Sequence, residues 1–315
     1  MNEINKTGMK RALLLNDLSC MGKCSLGVAI PVISSYGIET VPLPTAMLSM
    51  QTCFDGYVFC DMTEQMTAFA EHWKKKNVRF DCIYTGFFSN AGQIRMTMDL
   101  IRDFSDEETM LLVDPVIGDN GTRYSFFSDE YVSAMRELVS MAHVATPNRT
   151  EAALLAGCPT DAPAEKILDA LTSELQIPNT VITSVAFGED RIGYLAKSGT
   201  ETAAIEKDLR PFHLRGTGDT FASALCGELL TGTIRKISLS SETCGTDADD
   251  CGETKRRKRL QQDLSADGVT GVLPGFLQAV ERAADFCDDC IDATVKKQPG
   301  LWYGLAYETV IAGKR

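Results

Sequence analysis

Short apolar runs alternate with helix-period stretches along most of this chain, and that alternation constrains the fold more than any other feature. Arg11-Ala12-Leu13-Leu14-Leu15, Thr40 to Met47, Cys82-Ile83-Tyr84, Met110-Leu111-Leu112-Val113, His143-Val144-Ala145, Thr180-Val181-Ile182 and Arg191 to Ala196 read as strands. Between them, Leu26 to Ser35, Glu64 to Lys76, Ala91 to Phe104, Asp129 to Val139, Arg149 to Ala156 and Ala164 to Leu175 read as helices, with Asp219 to Leu230 and Phe276 to Val295 as the last two. In the second of these, Met66, Phe69, Ala70 and Trp73 recur at helix spacing. Strands that are apolar throughout are buried on both faces. The pattern therefore predicts an α/β fold with a mostly parallel central sheet, flanked by helices on both faces, and right-handed crossovers. The run Thr40 to Cys60, rich in Thr, Met, Phe and Tyr, is expected as an edge hairpin rather than a core strand.

The 315 residues, 44% of them hydrophobic, suffice for a sizeable buried core. We expect one domain over 1–315, interrupted by a polar, mobile insertion at 238–271 that carries Lys255-Arg256-Arg257-Lys258-Arg259. That basic run reads as a solvated loop offsetting nearby acids, because the chain as a whole carries a net charge of −12. Such a balance argues against duplex nucleic acid as a partner, although it leaves nucleotides open. No apolar run approaches a membrane span or a signal-peptide core, so a cytoplasmic protein is expected. The eleven cysteines read as free thiols. Cys287-Asp288-Asp289-Cys290, with Cys244 and Cys251 upstream, is a weak match to zinc spacing; it reads more simply as one helix with two small side chains.

Polar residues cluster where the strands end. Leu15 leads to Asn16-Asp17-Leu18-Ser19-Cys20-Met21-Gly22, Tyr84 to Thr85-Gly86-Phe87, and Val113 to Asp114-Pro115-Val116-Ile117-Gly118-Asp119. Ala145 leads to Thr146-Pro147-Asn148-Arg149-Thr150-Glu151, and Ile182 to Thr183-Ser184. In an open parallel sheet the strand carboxyl ends face one crevice, where ligands bind. Each cluster alone is ordinary turn or cap chemistry. Five at strand ends predict one shared site.

The sharpest motif is Gly216-Thr217-Gly218-Asp219-Thr220-Phe221, followed by Ala224, Leu225, Leu229 and Leu230 at helix spacing. The glycines and free N–H groups of a helix start suit an anion. Asp219 suits either a helix cap or a general base beside that anion, and the pattern alone leaves both open. No phosphate loop of the G-x-x-x-x-G-K-[ST] type is present, Gly22-Lys23-Cys24-Ser25 being a near miss. The protein-kinase motifs and a dinucleotide G-x-G-x-x-G after the first strand are also missing.

Together these motifs resemble the ribokinase superfamily and, within it, the pyridoxal (vitamin B6) kinases. The resemblance runs from about Met9 to Phe221, then through the closing helix and the tail Tyr303-Gly304-Leu305-Ala306-Tyr307-Glu308. It implies ATP-dependent phosphorylation of the 5′-hydroxymethyl group of pyridoxal, pyridoxamine or pyridoxine. It casts Asp219 as catalytic base and Gly216, Thr217 and Gly218 as the anion hole. Asp114, Asp119, Thr146, Asn148, Glu151, Thr183 and Ser184 fall on the nucleotide side. Mg²⁺ is expected at Asp114, Asp119 and Glu151, and a monovalent cation (K⁺ or Na⁺) among Asp114, Thr146 and Thr183. Asp17, Ser19, Leu48, Gln51, Thr52 and Phe87 fall at vitamin-pocket positions. Here the chain departs from the common pattern, with Asp17 in place of Ser and Phe87 in place of Tyr. Asp17 also resembles the first-strand Asp of the hydroxymethylpyrimidine kinases of thiamine metabolism, the nearest alternative. In the family, the segment after the first strand or around Thr122-Arg123-Tyr124 closes over the nucleotide, and homodimers are usual. A catalytically silent ligand sensor on the same fold is the alternative from another class.

Overall fold

The structure, a computed structural model, describes residue 5 and residues 8–211, 214–232, 271–298 and 300–313. Cys244, Cys251, the basic run and all but Gly271 of the expected insertion lie outside the described residues. The elements run in chain order as β1 (Arg11–Ser19), α1 (Ser25–Ser34), β2 (Glu39–Leu48), β3 (Phe59–Asp61), α2 (Thr63–Lys75), β4 (Cys82–Thr85), α3 (Ala91–Phe104) and β5 (Met110–Val113). They continue with β6 (Gly118–Asp119), β7 (Thr122–Arg123), α4 (Asp129–Val139), β8 (Val144–Ala145), α5 (Arg149–Ala156), α6 (Ala164–Leu175) and β9 (Asn179–Ala186). The last are β10 (Arg191–Ser198), β11 (Glu201–Asp208), α7 (Thr217–Gly232), α8 (Phe276–Lys297) and α9 (Tyr307–Gly313).

Nine strands form one sheet in the order β11-β10-β9-β8-β5-β4-β1-β2-β3. The six central ones, β9 to β2, are parallel, and antiparallel strands close both edges. The strand β1 explains the layering. Leu13 and Leu15 enter one core with α3, α4, α5 and α6, whereas Ala12 and Leu14 enter the other with α1, α7 and α8. Alternate side chains thus feed two helical layers, which is why the central strands read as continuously apolar.

The expected edge hairpin is present in part. Glu39–Leu48 pairs antiparallel with the exposed Phe59–Asp61, which closes this side of the sheet, but it also pairs in parallel with β1 and so lies inside the sheet rather than at its margin. Phe69, expected on the buried stripe of α2, is 46% exposed, while Met66 is fully buried. Cys287 and Cys290 point into the core beneath α7, as two small side chains on one helix. Among the described residues, no helix is long and apolar enough to cross a membrane.

Candidate active site

Backbone hydrogen bonds carry the parallel ladder one residue beyond each strand and gather the polar clusters at one end of the sheet. Gly86 N–H donates to the Leu15 carbonyl (2.8 Å), Asp114 to Thr85 (2.9 Å), Thr146 to Val113 (3.0 Å) and Thr183 to Pro147 (2.9 Å). These residues are therefore held in register with their neighbours, so Gly86, Asp114 and Thr146, each just after a strand, line one rim with Asp17 and Thr183. Two clusters lie inside strands and not after them. Asn16 to Ser19 ends β1 at a bulge, and Thr183 and Ser184 face Tyr194 across a bulge in β9, where Ser184 takes φ +58°. Bulges of this kind re-aim side chains at a strand end.

Four carboxylates crowd this rim. Asp17, Asp114 and Glu151 are 7%, 9% and 6% exposed, and Asp219 is half-buried. Burial raises Asp114 to about 7, with the charge of Asp219 adding to the shift and the Thr146 hydroxyl, donating to Oδ1 at 2.9 Å, opposing it. Burial likewise raises Asp219 to about 6, with Asp17 adding; a hydrogen bond from the Ser25 backbone and the amide of Asn16 pull it down. Asp17 is raised by burial, against hydrogen bonds from Ser25 and from the Ser19 hydroxyl at 2.9 Å. Glu151 is raised by burial and by Asp114. Mutual repulsion among half-dry carboxylates is a state that a cation relieves.

Asp219 stands in the first turn of α7, and the loop before it depends on Gly216. Its φ is +75°, and a β-carbon there would lie 2.3 Å from the Lys23 carbonyl oxygen. The partner element is the start of α1, where Ser25 takes φ +50°. A non-glycine residue in that region is strained, and here the strained backbone delivers a hydrogen bond to Asp219.

Several residues expected on the nucleotide side are organised by α5. Asn148 and Glu151 form a capping box: Asn148 Oδ1 accepts from Glu151 N–H (3.0 Å), and Glu151 Oε2 accepts from Asn148 N–H (2.8 Å). The same pair holds the β6–β7 ribbon. Asn148 Nδ2 donates to the Gly118 carbonyl (2.8 Å), and Ile117 N–H donates to Glu151 Oε1 (3.1 Å). Thr150 adds a third tie, accepting from Gly121 N–H at 2.8 Å. Asp119 sits on the ribbon and accepts from the backbone and side-chain nitrogens of Asn120 at 2.8 and 3.1 Å. Among the described residues, no three His, Cys, Asp or Glu side chains are grouped closely enough to hold a metal ion by themselves. A cavity of about 210 Å³ opens between the β9–β10 bulge, the end of β11 and α8; Thr183, Ser184, Thr217, Gly218, Lys207 and Arg210 are among its lining residues.

Of the residues expected in the vitamin pocket, Ser19 and Leu48 are buried at the ends of β1 and β2. Phe87 is half-buried, 6.1 Å from Phe127 between ring centroids. Gln51 is buried, but its Oε1 accepts from Lys23 N–H at 2.9 Å, so that end of the amide serves the loop; Thr52 is exposed. Two residues to which the sequence assigns no individual role, Asn16 and Ser25, also shape the site. The Asn16 side chain is buried, its Oδ1 accepts from Phe87 N–H (2.9 Å) and Asp17 N–H (3.0 Å), and its amide faces Asp219 beyond well-formed hydrogen-bond geometry. A β-carbon on Gly86 would fall 2.3 Å from Asn16 Nδ2. The signal was adjacency: Asn16 precedes Asp17 at the sheet end.

Comparison with known proteins agrees with this fold. A family model described as phosphomethylpyrimidine kinase matches residues 34–240. A Bacteroides thetaiotaomicron protein assigned by name to the phosphomethylpyrimidine kinases, crystallised with pyridoxal, is 32% identical over 97% of this chain and 95% of its own, with a TM-score of 0.78. The pyridoxal kinase of Lactobacillus plantarum is 26% identical, covers 96% of both chains and superposes with a TM-score of 0.75. A pyridoxine/pyridoxal/pyridoxamine kinase of Bordetella avium is 25% identical over 258 residues, spanning 73% of this chain and 83% of its own. With a ribokinase-like sheet, the rim of carboxylates and the Gly216–Asp219 turn in place, the chain belongs to the phosphomethylpyrimidine kinase family and, within it, to the pyridoxal kinases.

Proposed function

We propose that this protein is an ATP-dependent kinase that phosphorylates the 5′-hydroxymethyl group of pyridoxal, pyridoxamine or pyridoxine. The observation that carries the reading is Asp219. It is a half-buried carboxylate at the first turn of a helix, raised to about 6 and steadied by the Ser25 backbone beside a glycine loop. Its basicity is matched to accepting a proton from an attacking alcohol near neutral pH. The N–H groups of Gly216, Thr217 and Gly218 face the moving phosphoryl group, and positioning does most of the rest, as in phosphoryl transfer generally.

The nucleotide lies across Thr183 and Ser184 into the cavity beside α8, with its phosphates toward Asp114, Thr146, Asn148 and the ribbon that carries Asp119. Mg²⁺ fits the donor set, because the raised Asp114 and Glu151 gain from a nearby cation. Glu151 has each oxygen engaged by a backbone N–H, and both oxygens of Asp119 accept from Asn120, so the two act through water. Such sparse protein ligation is usual for Mg²⁺ shared with phosphates. When bound, the ion neutralises charge on the phosphates. A monovalent cation belongs among Asp114, Thr146 and Thr183. On the substrate side, Asp17, supported by Ser19, pairs with the ring nitrogen or the amine of the vitamin, and Leu48, Gln51, Thr52 and Phe87 complete that wall. The β6–β7 ribbon, pinned by α5, covers the phosphates. The protein acts in the cytoplasm as a homodimer; the exposed Tyr57, Val58 and Phe59 at the β3 edge support a self-association face.

The test is a panel in which purified protein, Mg-ATP and each candidate alcohol are incubated and the phosphorylated product is quantified. Phosphorylation of at least one B6 vitamer is expected. Turnover of hydroxymethylpyrimidine alone would reassign the protein to the thiamine branch, and vitamin binding without ATP consumption would make it a sensor.

A further inference from the structure

Lys23, in the near-miss glycine motif, is enclosed between two glycines that leave no room for a side-chain carbon. A β-carbon on Gly216 would lie 2.3 Å from the Lys23 carbonyl oxygen; one on Gly304, in the tail before α9, would lie 2.1 Å from Lys23 Cβ and 3.0 Å from the same oxygen. Gly304, unlike Gly216, lies outside the left-handed region, so contact alone demands glycine there. The tail also grips the side chain. Lys23 Nζ pairs with Glu308 and lies 4.5 Å from the Tyr307 ring centroid, while the Tyr307 hydroxyl donates to the Gly27 carbonyl at 2.9 Å. On the opposite flank Gln51 accepts from Lys23 N–H (2.9 Å), and Trp302 and Tyr303 pack on Phe54 at 5.1 and 5.5 Å. Two residues beyond Lys23, the Ser25 backbone hydrogen-bonds Asp219.

We propose that Gly304 is a positioning residue for phosphoryl transfer: through it the C-terminal tail presses Lys23 against Gly216, fixing both the anion loop and the Ser25–Asp219 contact. The inference rests on the kinase reading above. A methyl group at 304 pushes the Lys23 backbone and, with it, Ser25 and Gly216. Small misplacements of this kind lower kcat by about 10- to 100-fold. Because the Ser25 hydrogen bond lowers the basicity of Asp219, weakening it moves the acid limb of the pH–rate profile to higher pH.

The experiment compares the wild type with Gly304→Ala, Lys23→Gly and the double variant, measuring kcat, KM for ATP, the pH–rate profile and thermal unfolding. The expected result for Gly304→Ala is a 10- to 100-fold loss of kcat, a change of less than about threefold in KM for ATP, and an acid limb displaced upward. Removing the Lys23 β-carbon relieves the closest clash, so the double variant returns to within about threefold of the Lys23→Gly kcat, a coupling that independent sites would lack. A Gly304→Ala enzyme with wild-type kcat and pH profile overturns the proposal. So does a loss, of rate or of folding, that Lys23→Gly does not rescue, because the methyl would then act elsewhere than at Lys23. A wild type that phosphorylates no B6 vitamer overturns the kinase reading instead, and that failure is evident before any substitution is made.

Discussion

Asp219 and Asp114 are two neighbouring carboxylates held in different environments. Asp219 is held near 6 because amide donors partly offset its burial, whereas Asp114, with one hydroxyl donor and a charged neighbour, is held near 7. If Asp219 is the base, Asp219→Asn lowers kcat by about 10²–10⁴-fold while thermal unfolding stays cooperative, and wild-type turnover declines as pH falls through about 6. A variant within tenfold of wild type would return Asp219 to a capping role. Asp114 makes a separate prediction about stability. Its folded value lies above the ordinary 3.8, so the unfolded chain releases the proton first as pH rises. The stability present at low pH is then lost progressively up to about 7. Asp114→Asn escapes that loss. Without ligands, its melting temperature should exceed the wild type's by a margin that grows between pH 4 and 7 and then levels off. A constant margin across that range would show that Asp114 ionises normally in the folded protein.

At the scale of elements, α5 couples a helix cap to the β6–β7 ribbon, on the side proposed for the nucleotide. Asn148→Ala removes the cap, at about 1 kcal/mol and up to about 2, and also the bond to the Gly118 carbonyl. The expected outcome is a modest fall in melting temperature together with a clear rise in KM for ATP. A stability loss with KM unchanged would make the cap purely structural. This coupling also explains what could be read from the sequence. Asp114, Thr146 and Thr183 were legible because the ladder of parallel strands places every strand end on one rim, so position in sequence translates into position in space. The sites resting on backbone geometry were not. Toward Asp219, Ser25 acts through its backbone at a positive φ, which residue type does not announce. The strand β11, Glu201–Asp208, escaped notice because its alternately exposed edge carries Glu, Lys and Ala in place of an apolar run. The run Thr40 to Cys60 reads as an edge hairpin from its Thr, Met, Phe and Tyr content, yet β1 pairs along the first half of it, a long-range contact that composition does not encode. The tail was legible as a stretch of family resemblance, but the contact of Gly304 with Lys23 joins segments 281 positions apart, which no local pattern encodes.

For the molecule as a whole, the net charge of −12 and the carboxylates at the sheet end act in the same direction. On the proposed reading a triphosphate entering the crevice meets Asp114, Asp119, Glu151 and Asp219; burial first, and then the charge of Asp219 on Asp114 and of Asp114 on Glu151, already raise two of them. The basic groups nearby are partly committed: Arg210 pairs with Asp292 at 2.8 Å, and Lys207 pairs with Asp285 at 2.5 Å. Helix-start N–H groups contribute fixed partial charge, but less than a triphosphate carries. On the reading proposed above, a divalent ion accompanies the nucleotide. Ligands that bind only the folded state raise the melting temperature according to occupancy, so the requirement can be measured without turnover. Millimolar ATP with Mg²⁺ should raise the melting temperature clearly, ATP with chelator should raise it much less, and Mg²⁺ alone should have a small effect. Asp114→Asn should narrow the gap between the two nucleotide conditions, because it removes one of the repelling charges. Equal shifts with and without Mg²⁺ would mean that the crevice neutralises the triphosphate with its own groups, and the assignment of Asp114 and Glu151 to the ion would fall.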